Sequence, residues 1–92
     1  MAKARLHFKI FGDVQGVSFR YYASGVAQNL GLAGWAKNAS DGTVEGELEG
    51  EENSLKEFLE WAKGGPKWAK VEKVEARWEE FKDEFHNFKI KF

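Results

Sequence analysis

The chain is 92 residues long, which sets the expectation of one domain over residues 1–92, near the lower size at which a core holds without covalent staples. It has no cysteine and two histidines, which excludes disulfides and thiolate sites and all but excludes a His/Cys zinc centre; neither metal nor cofactor is expected. A formal net charge of −1 with Lys and Glu interspersed argues against a nucleic-acid footprint, and the absence of an apolar run of spanning length or a signal-like start points to a cytoplasmic protein that does not engage membranes.

Residues 5–11 alternate, with Leu6, Phe8 and Ile10 on one face and Arg5, His7 and Lys9 on the other, the pattern of a half-buried strand. His7 reads as an exposed cross-strand residue without a partner. The next nine residues, Gly12-Asp13-Val14-Gln15-Gly16-Val17-Ser18-Phe19-Arg20, are not explained by core building. Two glycines within five residues permit a tight turn and close approach of the backbone to a ligand, and Ser18 reads as the N-cap of a helix that begins at Phe19. The N–H groups of such a turn and of the first helical turn form an electropositive nest suited to an oxyanion, beside which Arg20 adds a planar, two-pronged donor. The bland alternative is an ordinary turn with a solvated Arg. Neither the P-loop nor the dinucleotide fingerprint fits, since no Gly-Lys-Ser/Thr follows and the glycine spacing is wrong.

Over residues 19–30, Phe19, Tyr22, Ala23, Val26, Ala27 and Leu30 recur at three and four, the stripe of one helix, and Gly31 is its stop. Gly25 inside it either permits close packing or is a tolerated defect that costs about 1 kcal/mol against Ala. Tyr21 and Tyr22 read as packing residues. Residues 34–37 and 43–48 then form a hairpin around the turn at 38–42. Val44, Gly46 and Leu48 point inward, while Thr43, Glu45, Glu47 and Glu49 read as a solvated face rather than a metal site. Asn38 ends a strand beside a tight turn, where local backbone hydrogen bonding is the favoured role.

Residues 53–63 form a second helix on the stripe Leu55, Phe58, Leu59 and Ala62, with Glu51 and Glu52 at its positive end and Asn53 as its cap. Gly64-Gly65-Pro66 ends it. Residues 69–81 read as a long strand in which Val71 is out of step with Val74, Ala76 and Trp78; a bulge or a bend near Glu72 and Lys73 repairs the phase. After the turn Lys82-Asp83-Glu84, the alternation Phe88, Ile90, Phe92 marks a final strand. Trp61 and Trp68 are either core or a surface patch. Two helical stripes on one mainly antiparallel sheet give the α+β class: a ferredoxin-like βαββαβ sandwich with an added C-terminal strand and both helices on one face.

The stretch from Gly12 to Arg20 resembles the signature of the acylphosphatases, G-x-V-Q-G-V-x-F-R. A second motif of that family is similar to Leu30-Gly31-Leu32-Ala33-Gly34-Trp35-Ala36-Lys37-Asn38 followed by Asp41-Gly42-Thr43-Val44. Gly64-Gly65-Pro66 and Phe88-Lys89-Ile90 also have counterparts, so the resemblance covers essentially the whole chain. It implies a hydrolase that splits the carboxyl–phosphate bond of a small acyl phosphate without a metal. It also implies that the backbone of Asp13, Val14, Gln15, Gly16, Val17 and Ser18 cradles the phosphate, that Arg20 binds its oxygens and that Asn38 orients the attacking water.

The chemistry suits those residue types. The leaving carboxylate is weakly basic and needs no general acid, so positioning and charge stabilisation can supply catalysis. An amide cannot act as a base near neutral pH, which leaves a phosphate oxygen to accept the water's proton; an essential general base in a pH profile counts against this. Many members have Thr where Ala39 stands, so any help that a hydroxyl there gives to the water is missing or passes to Ser40. The alternative is a non-catalytic module that binds or senses a phosphorylated ligand, and acylphosphatase-like domains also occur inside larger maturation proteins. A stand-alone, monomeric enzyme is the expectation here.

Overall fold

The structure, a computed structural model, describes residues 2–16 and 18–92. The elements run β1 (Lys3–Asp13), α1 (Phe19–Asn29), β2 (Ala33–Asn38), β3 (Val44–Glu51), α2 (Glu52–Gly64), β4 (Lys70–Glu79) and β5 (Phe88–Lys91). The strands lie in the order β4-β1-β3-β2-β5; neighbours are antiparallel except that β5 runs parallel to β2. This is the ferredoxin-like sandwich read from the sequence, with β5 appended beyond β2.

Alternation decides which residues meet the helices. Leu6, Phe8 and Ile10 of β1 and Val44 and Leu48 of β3 are fully buried beneath Leu55, Phe58 and Ala62 of α2 and Phe19, Ala23 and Ala27 of α1. Aromatic contacts tie the layers: Phe8 to Phe58 at 5.2 Å, Phe58 to Trp61 at 5.7 Å and Trp61 to Phe19 at 5.4 Å between ring centroids. Trp61 thus joins the core, whereas Trp68 is exposed. The stripe of α1 is narrower than its periodicity predicts. Tyr21 and Tyr22 both stand in solvent, because α1 lies over β2, whose inward positions are Gly34 and Ala36, and so close an approach admits alanines rather than a tyrosine. Gly25 is exposed, with nothing within 4 Å of an added Cβ, which makes it the tolerated defect.

The bulge expected near Glu72 is present. Phe11 pairs with Lys73 but Gly12 with Val71, so Glu72 is the extra residue. Here Gly12 is still part of β1 and has φ +131°; a Cβ on it would overlap the Lys70 carbonyl oxygen and lie 2.8 Å from the Glu72 nitrogen. The close approach that demands this glycine is therefore to strand β4, not to a ligand. Gly12→Ala is expected to cost at least about 3 kcal/mol, against about 1 kcal/mol for Gly31→Ala, where φ is positive but the space is open. Chemical denaturation of the two variants checks the difference.

Three details differ from the sequence pattern. Helix α2 begins at Glu52 with Glu51 in the cap position and no side-chain cap bond, so Asn53 is an exposed first-turn residue rather than the cap. On β4, Ala76 is exposed and Trp78 is 43% exposed, since α2 does not reach over the outer edge of the sheet. The final strand stops at Lys91, leaving Phe92 fully in solvent.

The face of the sheet away from the helices is not the solvated surface its charges imply. Arg5 is 4% and Glu49 3% exposed. Arg5 lies 2.9 Å from Glu47, 3.4 Å from Glu49, 3.3 Å from Glu79 and 2.8 Å from Glu84, with the Phe85 ring 4.7 Å from its guanidinium carbon. Glu49 accepts backbone N–H bonds from Lys82 at 2.7 Å, Glu84 at 2.8 Å and Phe85 at 3.2 Å, which folds the β4–β5 connection back over this end of the sheet. His7 is half-buried, 3.2 Å from Glu45 and 3.6 Å from Glu47, so it has the partners that the sequence did not reveal.

Candidate active site

The topology brings three strand ends to one place. Strands β1, β2 and β5 all run the same way, so their C-terminal ends, Asp13, Asn38 and Lys91, emerge together, and the start of α1 follows directly after β1. Every position singled out from the signature and the second motif lies there, except Val17, which falls outside the described residues.

Val14 is 1% exposed and anchors the loop in the core, while Asp13 and Gly16 are open to solvent. Gly16 has φ +78°, and among the described residues no heavy atom beyond its chain neighbours lies within 4 Å of an added Cβ, which leaves room there for a ligand. Ser18 stands immediately before the helix, as expected, but caps it differently. Its side chain makes no cap bond; the residue is left-handed, with φ 61° and ψ 27°, and its carbonyl accepts the Tyr22 N–H at 3.1 Å. A non-glycine residue in that region costs of order 1 kcal/mol, and such strain concentrates at functional sites.

Gln15 does more than contribute backbone. Its amide nitrogen donates to the Ala39 carbonyl at 2.8 Å and the Thr43 carbonyl at 2.9 Å, which clamps the loop after β1 onto the β2–β3 turn. That turn is further closed by Ala39 N–H to the Thr43 carbonyl at 2.8 Å and by Thr43 Oγ1 donating to Asp41 Oδ1 at 2.6 Å. Lys9 reaches Asp41 at 2.8 Å from β1. The Lys9 ammonium and then the two Thr43 donors hold the Asp41 carboxyl well below the usual carboxylate range. The bonds that shape the turn are thus made by Gln15, Asp41, Lys9 and the backbone. None of these bonds uses the Asn38 side chain.

Arg20 lies in the first turn of α1 and donates to the Lys91 carbonyl at 2.7 Å, with its guanidinium carbon 4.8 Å from the Phe92 ring. Lys91 is the register partner of Lys37, the residue before Asn38. Arg20 and Asn38 are therefore neighbours through β5, and Gln15 ties the loop to the same turn. Sequence reasoning did not find the Lys91 carbonyl or the Gln15 clamp: one is a backbone acceptor far along the chain, and the other is an amide whose partners are set by tertiary packing. Among the described residues no group of three or more His, Cys, Asp or Glu side chains is gathered as a metal-binding set. The acidic run of β3 is spent on Arg5 and His7.

The α+β sandwich thus brings an open glycine-containing loop, an arginine at a helix start and an asparagine at the neighbouring strand end to one end of the sheet, the arrangement expected of a small oxyanion-handling domain. Comparison with known proteins narrows this. The model of the family described as Acylphosphatase matches residues 6–90, and the chain belongs to that family. The acylphosphatase of Pyrobaculum arsenaticum is 50% identical over 91 residues, 98% of this chain and 96% of that protein. The crystal structure of acylphosphatase from Bacillus subtilis superimposes with a TM-score of 0.92 at 37% identity, covering 97% of this chain and 99% of that one. A full-length HypF structure in a phosphate- and nucleotide-bound form also matches, with TM-score 0.89 and 33% identity, but only over 12% of its own length. The chain is accordingly an acylphosphatase-type hydrolase.

Proposed function

We propose that the loop of residues 13–18, Arg20 and Asn38 together hydrolyse small acyl phosphates. The loop N–H groups and the start of α1 receive the phosphate, and Arg20 grips two of its oxygens. The Asn38 amide holds a water in line with the scissile bond. Attack forms the new P–O bond as the bond to the acyl oxygen breaks; the carboxylate leaves without protonation and the water's proton passes to a phosphate oxygen, so no side-chain base is needed. Phosphate grip is separate from acyl recognition, which fits a small-molecule substrate of variable acyl group. The observation that carries this reading is the clamp of Gln15 on the Ala39 and Thr43 carbonyls, which holds the loop against the turn that follows Asn38.

Benzoyl phosphate hydrolysis in the presence of a chelator tests it. Asn38→Ala is expected to lower kcat at least about a hundredfold, roughly 2.7 kcal/mol of transition-state stabilisation, with inhibition by inorganic phosphate little changed, because Asn38 acts on water rather than on phosphate. Lost phosphate inhibition with kcat unchanged would reassign Asn38 to binding. A folded wild type that binds phosphate but turns nothing over would leave a sensor module.

A further inference from the structure

Trp68 is 61% exposed on the short turn between α2 and β4. A single apolar side chain in solvent is ordinary, so its position decides what it means. The turn is firmly seated. Pro66 is buried and its carbonyl accepts the Ala69 N–H at 3.0 Å, while the Gly65 N–H closes α2 on the Trp61 carbonyl at 2.8 Å. The turn lies so close to α1 that a Cβ on Gly65 would be 3.2 Å from the ring of Phe19, the first residue of that helix. It then leads directly into the pairing of β4 with β1, in which Lys70 partners Asp13. Trp68 thus stands two residues from the partner of the residue that opens the 13–18 loop, on a turn packed against the start of α1. Its indole is not part of the core.

The sheet order supplies a direction. Strand β4 lies on one side of β1; β3 and then β2, which carries Asn38 at its end, lie on the other. The loop issues from β1 and so lies between Asn38 and the turn of Trp68. An in-line displacement puts the attacking and the leaving oxygen on opposite sides of the phosphorus. With the water at Asn38, the acyl group leaves across the loop, toward β4. Resting on the placement of phosphate and water given under the proposed function, we propose that the acyl group of the substrate lies on the Trp68 indole. Trp68 is then a specificity-determining residue, and aromatic acyl phosphates are the favoured class. A flat apolar ring both stacks on the indole and removes apolar area from water, whereas an acetyl group is too small to gain much from either. The contact is made by a part of the substrate that does not react. It therefore binds ground state and transition state alike and acts on KM rather than on kcat.

Steady-state hydrolysis of benzoyl phosphate and of acetyl phosphate by the full chain, with inhibition by inorganic phosphate measured alongside, tests this. Trp68→Ala is expected to raise KM for benzoyl phosphate about tenfold with kcat little changed, and to leave acetyl phosphate within about twofold of wild type. Phosphate inhibition should be unchanged. Trp68→Phe keeps a ring and should restore most of the preference for benzoyl phosphate. A purely structural role would weaken both substrates together, and phosphate inhibition with them. Equal losses on the two substrates, or a benzoyl-to-acetyl ratio of kcat/KM that Trp68→Ala leaves unchanged, overturn the proposal while the hydrolase reading stands. A wild type that hydrolyses neither substrate removes that reading and this proposal with it.

Discussion

Arg20→Ala is expected to lower kcat/KM for benzoyl phosphate about a thousandfold while the protein stays folded. The guanidinium is the fixed cation that the structure sets at the start of α1, beside the end of β2. Two N–H bonds from a planar cation to a phosphoryl group that gains charge on its way to the transition state are worth about 4 kcal/mol in a pre-organised site. The same side chain contributes little to the fold. Its bond to the Lys91 carbonyl is made near solvent, so its loss should cost no more than about 1 kcal/mol. Activity and stability therefore separate, and inhibition by inorganic phosphate should weaken together with turnover, unlike in Asn38→Ala. Arg20→Lys keeps the charge but not the fork and should fall between the two. A variant that folds and retains activity within about tenfold of wild type would move the site away from the α1 start.

The largest effect on stability is expected at Glu49. Its removal orphans two kinds of partner, and their magnitudes decide which matters. Arg5 keeps Glu47, Glu79 and Glu84 within reach, so it is not left as an isolated buried charge. The N–H groups of Lys82, Glu84 and Phe85 lose their acceptor together, at about 1 kcal/mol each or more because the acceptor is charged. Glu49→Ala should thus cost about 3–5 kcal/mol in chemical denaturation. The loss has a functional echo, since the freed connection leads into β5, whose Lys91 carbonyl holds Arg20.

The same group makes stability depend on pH. Burial alone would raise the Glu49 carboxyl, but the backbone donors and Arg5 outweigh it and hold the carboxyl below its ordinary value of 4.5. A depressed carboxyl contributes stability that is fully present above the unfolded value and is lost as pH falls through the lower folded one. The wild type should be insensitive between neutral pH and about 5 and weaken in acid below that. Glu49→Gln, already weaker at neutral pH, should show a shallower acid limb. Asp41 and Glu79, also held low, keep part of the limb in both proteins. An unchanged limb in Glu49→Gln would show that Glu49 is not the titrating group.

The order of the elements, the inward faces of β1, β3 and α2, the stop at Gly31 and the bulge at Glu72 were legible from the chain alone, because each rests on a short-range pattern: a period of two or near 3.6, a glycine, or a break in phase. The glycine-containing stretch and Arg20 stood out for the same reason, as a local arrangement that core building does not require. The second motif placed Asn38 beside them only through resemblance, since nothing near it in sequence distinguishes a turn-forming amide from one left free for a ligand. The tertiary structure decided which strand ends meet. It turned Gly12 from a ligand-facing residue into a seat for the β4 backbone, and Gln15 from a length of loop into a clamp. It also converted the acidic face of β3 from solvated charges into the acceptors around a buried Arg5. In each case the partners lie at least 24 residues away; alternation tells a residue which side of the sheet it faces, but not which distant segment returns to cover it.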